Sequence, residues 1–233
     1  MSARDLGRVA QMHTAGTASW RFAHDIDERL HVALYIRDAL DLPTAAEGTP
    51  PRLASEIPDR SGLLGPEAAR AVAAQWLSWW RDIVTAMASA QRGRPLDAAD
   101  VDGRPRYSAD WHRQMIDPPD WNSLADRPGL RGAAKALWTD SLHWFEPARR
   151  PYLPPSCTDV FRWEWVRDCA EGAAARHHVS PGAIDGCAEV LLVEGLWWQL
   201  VAPGVALCSI AAARDAAIAP AILDEIFDSY LAG

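Results

Sequence analysis

Lysine is almost missing from this chain of 233 residues, and its scarcity excludes one chemistry and restricts another. Lys135 is the one lysine, against 22 arginines. A nucleotide-binding P-loop needs a lysine directly after a glycine, and the sequence contains no Gly-Lys pair. Nucleotide binding of this type is therefore excluded, and a Schiff-base mechanism would have to use Lys135.

Clustered positive charge is missing as well. The formal net charge is −8 at pH 7, and the strongest basic patch is the pair Arg149-Arg150. Proteins that bind nucleic acids displace counterions with clusters of basic residues, and anionic membranes attract similar clusters. The composition therefore predicts neither a nucleic-acid partner nor a membrane partner.

Cysteine is sparse, and no two cysteines form a C-x-x-C pair. The four cysteines are widely spaced: Cys157, Cys169, Cys187 and Cys208. This spacing predicts free thiols in a reducing compartment, without disulfides or a structural zinc ion. Residues 1–15 have no apolar segment of the kind found in signal peptides, so we expect a cytoplasmic protein.

Common catalytic signatures are also missing. The sequence has no Gly-x-Ser-x-Gly, Gly-x-Gly-x-x-Gly or His-Glu-x-x-His motif. Its most apolar stretch, 190–213, is interrupted by Glu194, Gln199 and Pro203-Gly204. These interruptions predict a buried helical hairpin rather than a membrane-spanning helix.

Tryptophan, in contrast, is abundant, with 12 residues in all. Three of them, Trp76, Trp79 and Trp80, lie close together in the segment AAQWLSWWRD. At 100° per residue they fall on one apolar stripe of a helix predicted over 66–91. We therefore expect these tryptophans to be buried in the core.

Helical spacing of apolar residues extends over most of the chain. It predicts helices over 20–40, 66–91, 128–146 and 158–177, and a last one from Pro220. The segment 181–201 is apolar nearly all round, which is typical of a central buried helix. The sequence thus predicts an all-α fold: a single helical domain, 1–233, in which a bundle of six to eight helices surrounds helix 181–201. A hinge, if the domain has one, is expected near 147–155.

The strongest candidate site residue is Glu194. On the predicted helix its neighbours one turn away are apolar, so the carboxylate is expected to be buried. A buried carboxylate anchors a ligand or forms an ion pair with an arginine. In the first case Trp197, Trp198 and Trp80 would line an aromatic ligand pocket around Glu194.

A second candidate is a polar stripe on the first predicted helix: His24, Glu28, His31 and Tyr35. Glu28 and His31, like Asp140 and His143, have the i, i+3 spacing of metal ligands in helical bundles. The stripe lies opposite the apolar face of its helix, which favours a solvated surface. We therefore expect no metal and no cofactor.

Three functions remain compatible with these observations. The first is a non-catalytic helical protein that binds a partner protein or self-associates, since surplus tryptophan is typical of interfaces. The second is a helical protein or enzyme that binds a small apolar ligand near Glu194. The third is a metal-dependent helical-bundle enzyme.

Overall fold

The computed structural model describes residues 8–11, 20–43, 46, 48–92, 115–152 and 160–233. Within these ranges the chain forms a mixed five-stranded β-sheet with helices packed on both of its faces. The predicted all-α class and helical bundle are therefore wrong.

The strands are β1 (Arg8–Gln11), β2 (Arg21–Asp25), β3 (Cys187–Leu191), β4 (Trp198–Ala202) and β5 (Val205–Ser209). The α-helices in the described ranges are α1 (Glu28–Ala39), α2 (Pro66–Arg92), α3 (Pro128–Arg149), α4 (Trp163–His177), α5 (Ile210–Arg214) and α6 (Ile218–Ala232). The strand order is β1-β2-β3-β5-β4. Strands β2, β3 and β5 run parallel, and β1 and β4 pair antiparallel at the two ends of this order.

The sheet separates two hydrophobic clusters, and β3 and β5 contribute to both. One cluster includes α1, α2 and α3 with Leu191 and Leu207, and the other includes α4, α5 and α6 with Val190 and Cys208. Strands buried on both faces are apolar without alternation. This explains why 181–201 was predicted to be a central helix, although it contains β3, a loop and the start of β4.

The helix that is buried nearly all round is α1. The predicted helix over 20–40 begins too early, because Arg21–Asp25 forms β2. Asp27 then caps α1, since its side chain accepts hydrogen bonds from the N–H groups of Arg29 (2.7 Å) and Leu30 (3.1 Å). His31 and Tyr35 are buried, so the prediction of a solvated stripe is wrong for both of them.

The predicted helices over 66–91 and 128–146 are confirmed as α2 and α3, and that over 158–177 is confirmed in its C-terminal part as α4. Trp76, Trp79 and Trp80 are buried, as expected from the apolar stripe. The rings of Trp76 and Trp80 stack with centroids 5.5 Å apart. The indole N–H of Trp76 donates to the carbonyl oxygen of Ala33 (2.7 Å), which joins α2 to α1.

The region of the expected hinge lies partly in regular structure. Helix α3 continues through Pro147, and a short 3-10 helix follows over Arg150–Tyr152. The remaining residues, 153–155, lie outside the described ranges, as does Cys157. None of the helices described here is long and apolar enough to cross a membrane.

Candidate interaction surface

Glu194 lies in the loop between β3 and β4, and its side chain is exposed to solvent. Its backbone N–H donates to the carbonyl oxygen of Arg52 (2.8 Å). The prediction that Glu194 is buried is therefore wrong. The helical spacing from which burial was inferred does not apply, because this segment is not a helix.

The three tryptophans predicted to surround Glu194 do not converge on one pocket. Trp197 and Trp198 are successive residues of an extended segment, and such side chains point to opposite faces of a sheet. Trp197 packs against the cluster that contains Trp80, whereas Trp198 packs against the other cluster. The structure therefore brings Trp80 and Trp197 to one face and leaves Trp198 on the other.

The turn before β4 is held in place by Ser209, the last residue of β5. The Ser209 hydroxyl donates to the carbonyl oxygen of Gly195 (2.8 Å) and accepts from the N–H of Trp197 (3.2 Å). It also accepts from the N–H of Ala212 (3.1 Å), which caps α5. These hydrogen bonds occupy the hydroxyl fully, so it serves as a structural clamp on the turn.

Leu196 projects from this clamped turn. Its exposed fraction is 58%, which matches the 57% of Leu63 on the 3-10 helix Ser61–Leu63. Gly195 has a positive φ of 73° that a residue with a side chain rarely adopts, so the shape of the turn depends on glycine. The turn thus presents an apolar side chain to solvent from a defined backbone.

Beside the turn lies the outer backbone edge of β4. In the part of the chain that the structure describes, β4 pairs only with β5, so this edge has no strand partner there. The Ser209 N–H donates to the carbonyl oxygen of Trp197 (2.8 Å), and hydrogen-bonded pairs alternate along an antiparallel ladder. Gln199 therefore bonds toward β5, while the N–H and C=O groups of Trp198 and Leu200 point outward.

This edge also carries no charge. From Glu194 to Gly204 the one ionisable side chain is that of Glu194, and β4 itself has the sequence WQLVA. All five residues of β4 are half-buried. A β-bulge between Leu200 and Ala202 and the Pro203-Gly204 turn end the strand. We call the turn 194–197 together with the outer edge of β4 the β4 surface.

A loop segment that precedes α2 supports the other side of the turn. Leu53 forms a bridge with Val193, and the N–H of Ala54 donates to the carbonyl oxygen of Leu192 (2.9 Å). Arg37 holds this segment, since its guanidinium donates to the carbonyl oxygens of Pro50 (2.6 Å) and Pro51 (2.7 Å). The turn is therefore fixed from two directions.

Of the other predicted candidates, His31 has a structural role. Its Nδ1 donates to the carbonyl oxygen of Asp27 (2.6 Å), and its Nε2 accepts from the N–H of Leu192 (3.0 Å). Burial lowers the pKa of His31 to about 4, so the imidazole is neutral at pH 7. His143, in contrast, is exposed. In the part of the chain that the structure describes, no group of three or more His, Cys, Asp or Glu residues could hold a metal ion.

The cysteines that the structure describes, Cys169, Cys187 and Cys208, are free and buried, which confirms the prediction of free thiols for these three. Burial, with the charge of Asp224 nearby, raises the pKa of Cys169 to about 12. Burial also raises the pKa of Cys208, with a smaller effect from Glu189. Both thiols are protonated at neutral pH, which disfavours a nucleophilic role.

Sequence reasoning missed Leu196, Gln199 and Ser209 as components of this surface. A signal for them was present, because Pro203-Gly204 separates two short apolar runs, as a β-hairpin turn does. The chain matches no protein-family model, and searches of curated proteins and of solved structures give no significant match.

Proposed function

We propose that the protein is a binding protein that recruits another polypeptide to the β4 surface by β-strand addition. The observation that carries this proposal is the uncharged outer edge of β4, where the backbone groups of Trp198 and Leu200 point away from β5. Exposed strand edges pair readily with other strands, and proteins usually protect them with charged side chains or proline.

The rigid turn adds to the capacity of this edge for binding. Association is weakened by the entropy of ordering loops, and a turn already held by Ser209 avoids part of that cost. Leu196 supplies an apolar contact beside the backbone edge. In strand addition, backbone hydrogen bonds give affinity and flanking side chains give specificity.

We propose a cytoplasmic location for this activity. Three buried cysteines are unpaired, and free thiols are typical of a reducing compartment.

A peptide selection tests the proposed function directly. Short random peptides displayed on phage are selected against the full-length protein immobilised at low density. We expect extended, uncharged peptides that bind the wild type and the Leu63→Asp variant equally well, and bind Leu196→Asp about tenfold more weakly. Leu63 is the matched control because its exposed fraction, 57%, equals that of Leu196, 58%, within one percentage point.

A second variant tests the backbone edge itself. Leu200→Pro removes an N–H that points outward, which an edge strand tolerates better than the loss of a ladder hydrogen bond. We expect the selected peptides to lose binding to Leu200→Pro while its circular dichroism spectrum stays that of the wild type. Peptides that bind all four proteins equally, or the recovery of no peptide, would contradict the proposal.

A further inference from the structure

We infer that the polypeptide bound at the β4 surface is a second copy of this chain, whose β4 pairs antiparallel across a two-fold axis at Gln199. This inference rests on the proposed function, because it names the partner of the same surface. Closed two-fold symmetry requires a surface that is complementary to itself. The backbone, the side chains and the charges of β4 each meet this requirement.

The backbone favours Gln199 over its neighbours as the axis. With the axis there, Trp198 lies opposite Leu200 of the partner subunit, and Leu200 lies opposite Trp198 of the partner subunit. These are the residues whose N–H and C=O groups point outward, so both pairs can exchange two hydrogen bonds. An axis at Leu200 would instead place Trp198 opposite Ala202, which follows the bulge and pairs with Val205 in β5.

The side chain of Gln199 supplies the chemistry for a symmetric contact. It is half-buried and lies against Gly48, where an added Cβ would be 3.2 Å from its Nε2 atom. Within the described residues, neither Gly48 nor any other group forms a hydrogen bond with its amide group. A primary amide both donates and accepts, so two identical amides can bond to each other. At the axis the two Gln199 side chains are a directly opposed cross-strand pair, within reach of each other.

The same register covers the exposed leucine. On the same axis the turn that carries Leu196 lies beside the end of the partner subunit's β4, where the small side chain of Ala202 of the partner subunit leaves space for it. Trp198 and Leu200 of the partner subunit form an aromatic–aliphatic pair, which stabilises antiparallel sheets. The pairing thus explains why a well-ordered turn exposes 58% of a leucine.

Charge does not oppose this assembly, although the chain carries a net charge of −8. Glu194 is the ionisable residue of the 194–204 segment, and it lies five residues from Gln199. At about 3.3 Å per extended residue the two Glu194 carboxylates could be at most about 33 Å apart across the axis, and the turn 194–197 shortens this distance. Half of that distance still exceeds the Debye length of about 8 Å at physiological ionic strength, so their repulsion is screened.

A charge-pairing experiment tests the register. Gln199→Glu and Gln199→Lys each place two like charges at the axis, and we expect each to weaken dimerisation about tenfold or more. An equimolar mixture of the two variants places opposite charges there, and we expect it to form a heterodimer about as tight as the wild-type dimer. With one of the two variants uniformly labelled with 15N, native mass spectrometry separates the heterodimer from both homodimers by mass, and Leu63→Asp should dimerise as the wild type does.

Two results would overturn this inference. One is a wild-type protein that stays monomeric at concentrations of about 100 μM, well above ordinary dimer dissociation constants. The other is a mixture of Gln199→Glu and Gln199→Lys that remains monomeric while both variants keep the wild-type circular dichroism spectrum. If the selected peptides still bind a monomeric wild type and require Leu196, the proposed function holds and this inference fails. If they bind independently of Leu196, the proposed function fails first.

Discussion

The imidazole of His31 accepts a hydrogen bond from the backbone N–H of Leu192 at 3.0 Å, across 161 residues of sequence. Its other nitrogen donates to the carbonyl oxygen of Asp27 at 2.6 Å, so the two bonds fix one neutral tautomer. Helix α1 is thereby joined to the residue that follows β3. Protonation would remove the acceptor that holds Leu192, next to the turn of the β4 surface.

The stability of the protein is therefore expected to fall between pH 6.5 and pH 4. Burial, as the largest effect, lowers the pKa of His31 from 6.5 to about 4 in the folded protein. In this window the unfolded state binds more protons, so its free energy falls relative to that of the folded state as the pH decreases. The contribution of His31 is complete above pH 6.5 and amounts to about 3 kcal/mol.

His31→Gln isolates this contribution, because glutamine stays neutral at every pH. We expect the free energy of unfolding in urea to fall less for His31→Gln than for the wild type between pH 7.5 and pH 4.5. The difference between the two proteins cancels the effect of other titrating groups. Equal pH dependence in both proteins would show that His31 is not held neutral in the fold.

The buried ion pair of Arg37 and Asp38 predicts a large effect of mutation. The Arg37 Nε atom donates to Asp38 Oδ1 (2.6 Å), and both side chains are 4% exposed. Arg37→Met leaves the buried carboxylate with only the more distant, exposed Arg52 at 4.0 Å, and the loss of the buried cation is expected to cost about 3–5 kcal/mol of unfolding free energy. Arg37→Met combined with Asp38→Asn should recover part of the loss, because no lone charge remains.

Arg167→Met is the matched control for this pair, because Arg167 also forms an ion pair with the residue that follows it. Arg167 is 40% exposed and Asp168 is 64% exposed. Exposed ion pairs contribute about 0–1 kcal/mol, so chemical denaturation should show a small change for this variant. A loss as large as that of Arg37→Met would mean that burial does not set the strength of these pairs.

Helices with one apolar stripe could be predicted from the sequence, whereas strands could not. Trp76, Trp79 and Trp80 alternate with polar residues at helical spacing, so α2 has a clear signal. In β3 and β5 each residue is buried on one face or the other, and no polar positions mark a period of two. The physical cause of the error is therefore helix packing on both faces of the sheet.

The candidate site was predicted wrongly for the same reason, because a strand and a turn were taken for a helix. Glu194 was expected to be buried because apolar residues lie three and four positions away, but those spacings matter only in a helix. Ser209 holds the turn through hydrogen bonds to Gly195 and Trp197, which are 14 and 12 residues away in sequence. Such contacts follow from strand pairing, which helical periodicity does not predict.

The stacked tryptophans of α2 give a test of the core. Trp80 is 3% exposed and stacks on Trp76. We expect Trp80→Ala to lower the free energy of unfolding by about 3–5 kcal/mol, because the cavity cannot close fully. Thr85→Ala, on the exposed face of the same helix, should change it by less than about 0.5 kcal/mol. A nearly neutral Trp80→Ala in chemical denaturation would contradict this packing.

Ser209→Ala links the fold to the β4 surface, since the lost hydroxyl bonds to both the turn 194–197 and α5. We expect two separable effects. In the Leu196→Asp background, where we expect a monomer, Ser209→Ala should lower the free energy of unfolding by about 1–3 kcal/mol, because buried polar groups lose their partner. In the otherwise wild-type chain it should also weaken dimerisation, because the turn must be ordered on association. Urea denaturation measures the first effect and native mass spectrometry the second. If Ser209→Ala loses stability in both backgrounds but dimerises as tightly as the wild type, the Ser209 hydroxyl does not contribute to dimerisation. Ser209 would then have a role in the fold alone.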